Sequence, residues 1–120
     1  MGRPVVYFEI GCRDRAAGAA FYSSLFGWEV DDAGDSSAFT TNAGRGIDGH
    51  LAALGHEPHA YTIFYVEVDD LDATLALASE LGGATLVGPV AIPDGTFAWL
   101  SDPQGNTVGV IQGMRSKGHP

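Results

Sequence analysis

The chain is 120 residues long and 45% hydrophobic, and its six Lys and Arg against 15 Asp and Glu give a formal net charge of −9. That length supports one domain with one hydrophobic core, and no run approaches the ~20 apolar residues that span a bilayer. The negative field repels phosphate backbones and anionic lipid and attracts cations, so no nucleic acid and no membrane partner is expected.

The N-terminal Met1-Gly2-Arg3-Pro4 runs straight into a strand-like segment without the apolar stretch of a signal peptide, which predicts a cytoplasmic protein. Val5–Ile10 is rich in β-branched and aromatic residues and reads as the first strand. Cys12, the single cysteine, excludes an intrachain disulfide and a cysteine-based zinc site. It reads as a small residue near a strand end, and reactivity would require cations such as Arg13 or Arg15 beside it. Asp14 is a candidate N-cap for a helix running to about Phe26, with Gly27 as its stop. Ala17, Phe21 and Leu25 mark one face of that helix, with Tyr22 and Phe26 adjoining. Short strands are predicted near Trp28–Asp31, Ala38–Thr41 and Ile47–Leu54, separated by Gly/Asp/Ser-rich breaks.

A linker over His56–His59 follows, and the order then repeats. Tyr61–Val68 predicts a strand, and Asp69-Asp70 caps a helix through Leu81 with the stripe Leu71, Leu75, Ala78 and Leu81. Gly82-Gly83 stops it. Strands are expected at Ala84–Val87, with an extension through Val90–Ile92, at Thr96–Ser101 and at Thr107–Gln112. Gly27 of the first half falls over Gly82 of the second, so the chain reads as two βαβββ units. The polar, basic tail 114–120 is expected to fray.

Side chains alternate across a strand. Val6, Phe8 and Ile10 are assigned to the helix side of the first strand, with Tyr7 and Glu9 opposite. Phe64, Val66 and Val68 are assigned likewise in the second half, with Ile63, Tyr65 and Glu67 opposite. That mixed second face suits a curved sheet around a partly polar cavity.

Tyr7-Phe8-Glu9-Ile10, Phe21-Tyr22 and Leu25-Phe26-Gly27-Trp28 resemble the first module of the vicinal-oxygen-chelate superfamily, which includes glyoxalases, bleomycin-resistance proteins and dioxygenases. Val66-Glu67-Val68-Asp69-Asp70-Leu71-Asp72, Glu80-Leu81-Gly82-Gly83-Ala84 and the turn Asp102-Pro103-Gln104-Gly105-Asn106 resemble its second module. The resemblance implies an α+β fold of two tandem βαβββ modules, about 4–55 and 60–112, in a single glyoxalase-like domain over 1–113. Their strands would form a cupped mixed sheet around a cavity, in a homodimer.

In metal-using relatives four inward positions supply ligands. Carried over, those positions fall on Tyr7, His50, Ile63 (or, with a slip of one residue, Thr62) and Gly109. Ile63 and Gly109 have no side-chain donor and only His50 is an ordinary ligand, so neither a metal nor another cofactor is expected. Glu9 and Glu67 are candidates to join His50 in a displaced site. His50 is otherwise expected to hydrogen-bond Asp48 or a neighbouring strand, or to serve as a base facing the cavity. His56, His59 and His119 are expected in solvent. Phe97 and Trp99, two apart on one strand, would form an aromatic wall with Tyr65 and Tyr7, to which Glu9 and Glu67 add negative charge. The leading expectation is a metal-independent protein that sequesters or carries a small amphipathic or aromatic molecule. The alternatives are a metal-dependent lyase or dioxygenase, and a metal-free acid–base isomerase or lyase using His50, Glu9 or Glu67.

Overall fold

A computed structural model describes residues 2–33 and 36–113; the predicted tail, with His119, lies outside them. The elements in chain order are β1 (Val5–Gly11), α1 (Arg15–Phe26), β2 (Glu29–Ala33), β3 (Ser36–Thr40), β4 (Gly49–Ala52), β5 (Thr62–Val68), α2 (Leu71–Glu80), β6 (Ala84–Ile92), β7 (Gly95–Ser101) and β8 (Thr107–Gln112). Two compact units result, one over Val6–Ile63 and one comprising the chain from Phe64 with the residues up to Val5. Among the described residues no helix is long and apolar enough to cross a membrane.

In the first unit the strand order is β2-β3-β4-β1. The β2·β3 and β3·β4 pairs are antiparallel and β4·β1 is parallel. α1 starts where the sequence predicts, because the Asp14 carboxylate accepts the Ala17 backbone N–H at 3.1 Å. It stops at Gly27, whose φ of 74° is left-handed, with its N–H donated to the Ser23 carbonyl.

The packed face of α1 differs from the predicted one. Gly18 lies against Leu51, which is fully buried, and Tyr22 stacks on Trp28 at 5.7 Å and meets Phe39 edge-on. Phe8 packs on Trp28 and Phe39 from β1, as its alternation predicts. Phe21 and Leu25 are each 58% exposed. The helix comes close to Leu51 where residue 18 is glycine, since a Cβ at position 18 would lie 2.9 Å from a Leu51 methyl. Gly18 and Tyr22, rather than Phe21 and Leu25, make the contact face.

The second unit repeats the plan in the order β5-β8-β7-β6, with β5·β8 parallel and the other pairs antiparallel. Asp70 caps α2 as Asp14 caps α1, accepting the Ala73 N–H at 3.0 Å. Val68, Leu71, Leu75, Ala98 and Val110 form a buried cluster, with Val66 and Leu100 packed against it. The predicted stripe fails only at Leu81, which is exposed because α2 ends at Glu80. The two predicted pieces of β6 form one strand interrupted by register shifts. In the Asp102–Asn106 turn the Asp102 carboxylate accepts the N–H groups of Gln104 and Asn106 and the Asn106 side-chain amide. Hydrogen bonds from Asn106 hold that carboxyl below its usual range.

If Leu51 anchors α1, Leu51→Ala lowers unfolding stability by about 2–5 kcal/mol, whereas Phe21→Ser on the exposed face changes it by less than about 0.5 kcal/mol. Urea denaturation of the two variants measures the contrast, and the reverse order would restore the predicted helix face.

Candidate functional site

Three of the predicted residues converge in the first unit. The parallel β1·β4 register sets Glu9 beside His50. Glu9 Oε1 lies 3.3 Å from His50 Nε2, the side chains being 6% and 22% exposed. Tyr7, two residues earlier on the same face, brings its hydroxyl 2.8 Å from His50 Nδ1. The other Glu9 oxygen accepts the hydroxyl of Tyr61. His50 therefore meets Tyr7 and Glu9 rather than Asp48, whose carboxylate instead accepts the Thr41 N–H at 2.9 Å.

Tyr61 was absent from the expected site. It shares the odd parity of Ile63, Tyr65 and Glu67, which was its signal in the sequence. Its ring needs the bare backbone of Gly11, because a Cβ there would collide with the ring and with the His59 carbonyl. A carboxylate beside Nε2 favours the imidazole proton on that nitrogen. In the neutral ring Nδ1 is then the acceptor for the Tyr7 O–H. The order is Tyr7, His50, Glu9, Tyr61, with the carboxylate deepest.

A second group lies in the other unit and is aromatic. Tyr65 on β5 and Trp99 on β7 both register against Gly109 on β8. The Tyr65 ring occupies the space that a side chain at 109 would need. Trp99 Nε1 donates to the Tyr65 hydroxyl at 2.8 Å, and Phe97 meets the Tyr65 ring edge-on at 6.0 Å. Ile63 is buried on β5. Glu67 is half-buried there, and its side chain makes no hydrogen bond or ion pair among the described residues.

His59 is not the solvated residue that its loop position predicted. Its side chain is 19% exposed with Nε2 3.8 Å from Glu57, and its buried Nδ1 has no hydrogen-bond partner among the described residues. The Cys12 thiol points at the Ala52 carbonyl, and burial followed by Asp14 raises its pKa, so the nearby arginines do not activate it. No group of three His, Cys, Asp or Glu able to hold a metal occurs among the described residues.

A repeated βαβββ plan in an α+β chain, with these residues at its strand positions, defines a member of the vicinal-oxygen-chelate superfamily. Residues 6–111 match the family model for the glyoxalase-like domain, and the chain belongs to that family. It is 31% identical to a glyoxylase-like domain-containing protein of Didymella fabae, over 82% of this chain and 85% of that protein. It is 30% identical to CFP32 of Mycobacterium tuberculosis over 93% of this chain, and 29% identical to the anthracycline biosynthesis protein DnrV of Streptomyces peucetius over 95%. The chain spans about half the length of these last two, 46% and 50% respectively.

Two solved structures share the fold. A glyoxalase/bleomycin resistance protein/dioxygenase superfamily member from Vibrio splendidus gives a TM-score of 0.63 at 19% identity, covering 92% of this chain and 98% of its own. The Mn(II)-bound glyoxalase from Novosphingobium aromaticivorans gives 0.66 at 20% identity, covering 95% of this chain and 40% of its own.

Burial, then the hydrogen bond to the Glu9 carboxylate, pushes the Tyr61 phenol well above its ordinary 10.0. Below that value the folded and unfolded chains both hold the proton, and this contribution to stability is fully present. Above pH 10.0 the unfolded chain releases a proton that the folded chain keeps, so stability falls as pH rises. Tyr61→Phe removes this term. Denaturation midpoints from pH 10 upward should decline less steeply in the variant, and equal slopes would contradict the assignment.

Proposed function

We propose that the chain works as one metal-independent small-molecule-binding domain over residues 1–113, sequestering or carrying an aromatic or amphipathic molecule. The observation that carries this reading is the donor set. His50 has Tyr7 at one ring nitrogen and Glu9 at the other, while positions 63 and 109 carry Ile and Gly. Divalent zinc, nickel or manganese needs about three protein donors around an open position, and these residues do not fit such a centre. Glu9 is already turned to His50 and Tyr61, which also disfavours a displaced site.

Phe97 and Trp99, both half-buried, supply the aromatic surface that such a ligand would contact, with the buried Tyr65 ring behind them. The net charge of −9 favours a cationic or uncharged ligand over an anion. The relationship to DnrV, named for anthracycline biosynthesis, agrees with a planar polycyclic ligand. A cytoplasmic setting agrees with the single unactivated thiol. A homodimer agrees with the apolar surface of Phe21, Leu25 and Phe26 on α1.

Two measurements test this reading. Calorimetric titration with Mn²⁺, Ni²⁺ and Zn²⁺ should give no stoichiometric binding; a tightly held ion coordinated by several of this chain's side chains would overturn it. Titration with doxorubicin, a planar aromatic cation, should quench tryptophan fluorescence. Trp99→Ala should then weaken that binding about tenfold, the loss of roughly 1.4 kcal/mol of ring contact. Unchanged affinity would remove the aromatic group from the ligand's path.

A further inference from the structure

The aromatic group of the second unit shares its sheet face with one carboxylate. Residues paired across neighbouring strands project to the same side, so the register lays the face out in rows. One row runs Glu67, Ile111, Phe97, Val90 across β5, β8, β7 and β6. In the next row Tyr65 and Gly109 are followed by Trp99 and Val87. Val87 and Val90 are three apart, a spacing that sends them to opposite sides of a regular strand. Both reach this face because β6 shifts register between them. The face is thus apolar and aromatic across three strands, and Glu67 is the one charged residue in either row.

Glu67 differs from Glu9 in what meets its carboxylate. Both Glu9 oxygens are taken by His50 and Tyr61. Glu67 is half-buried, and among the described residues its side chain makes no hydrogen bond or ion pair. Its backbone N–H donates to the Pro4 carbonyl, yet the adjoining Arg3 pairs with Asp69 at 2.8 Å instead. A carboxylate partly withdrawn from water without a partner costs free energy, which a bound cation would offset. Strands lie about 4.8 Å apart, so the row from Glu67 to Val90 extends over about 14 Å. Ile111, buried between Glu67 and Phe97, forms its floor. A positive group above that floor lies between the carboxylate and an aromatic ring, two groups that each attract it.

We propose that Glu67 holds the positively charged end of the ligand, a protonated amine, while the apolar body lies across β7 and β6 over Phe97, Trp99, Val87 and Val90. The ligand class is therefore amphipathic amines. This assignment rests on the carrier reading and narrows it: aromatic contact explains affinity, and Glu67 explains selection of a cation over an uncharged molecule of the same shape.

The test compares doxorubicin, whose sugar amine is protonated at neutral pH, with N-acetyldoxorubicin, in which amide formation removes that charge. By tryptophan quenching, the wild type should bind the amine about tenfold more tightly, the low end for a hydrogen bond to a charged group. Glu67→Gln should reduce doxorubicin affinity to that of the amide and leave the amide's affinity unchanged, which also reports a folded variant. Glu67→Met, neutral and of similar length, should equalise the two probes in the same way. Asp72→Asn removes the same charge from the exposed first turn of α2 and should preserve the preference. Loss of the preference in that control, or its survival in either Glu67 variant, would overturn the assignment. A wild type that binds both probes equally would overturn it too, with the carrier reading left standing. Binding of neither probe would sink both.

Discussion

A carboxylate enclosed as far as Glu9 must find partners for both oxygens, and this requirement ties together most of the first unit. A buried charge left alone costs several kcal/mol, so the fold must bring one partner from each side. His50 arrives by the parallel pairing of β1 with β4, which a tight turn cannot make. α1, β2 and β3 together provide the crossover. Tyr61 arrives just before β5, over a glycine that leaves room for its ring. The topology and the polar group are therefore one problem: without the crossover, Glu9 has no imidazole beside it.

The second unit solves the same geometry with different chemistry. Three strands place Glu9 by His50 and His50 by Ala38 in the first unit; the equivalent three place Tyr65 by Gly109 and Gly109 by Trp99 in the second. Where the first unit sets a carboxylate against an imidazole, the second removes the central side chain and closes two aromatic rings over the gap. Gly109 leaves the room that the Tyr65 ring occupies beside Trp99.

The elements were readable wherever a local rule fixed them. Asp14 and Asp70 announce their helices because capping involves only neighbours in sequence, and Gly27 announces a stop because of its left-handed backbone. Alternation placed Tyr7 and Glu9 on one face and Phe8 on the other, and the repeat gave the order of elements, while the family was legible only through resembling motifs such as Leu25-Phe26-Gly27-Trp28 and Asp102-Pro103-Gln104-Gly105-Asn106. What could not be read depends on distances between segments. The contact face of α1 went to Gly18 and Tyr22 because approach to Leu51 matters more than side-chain size. His59 was misjudged because a loop residue's burial is decided by what folds over it, and Tyr61, read only as the start of a strand, was not singled out for the site. The partners of His50 needed the β1·β4 register, which no local pattern specifies.

The chain contains two tryptophans, and the duplicated plan gives one to each unit. Trp28 sits in the aromatic cluster beneath α1, while the indole N–H of Trp99 is tied to a phenol in a wholly different setting. Each half of the molecule thus carries its own optical reporter. Replacing either indole by phenylalanine would leave a single emitter, and the two spectra would reveal whether the halves melt as one cooperative body or in succession.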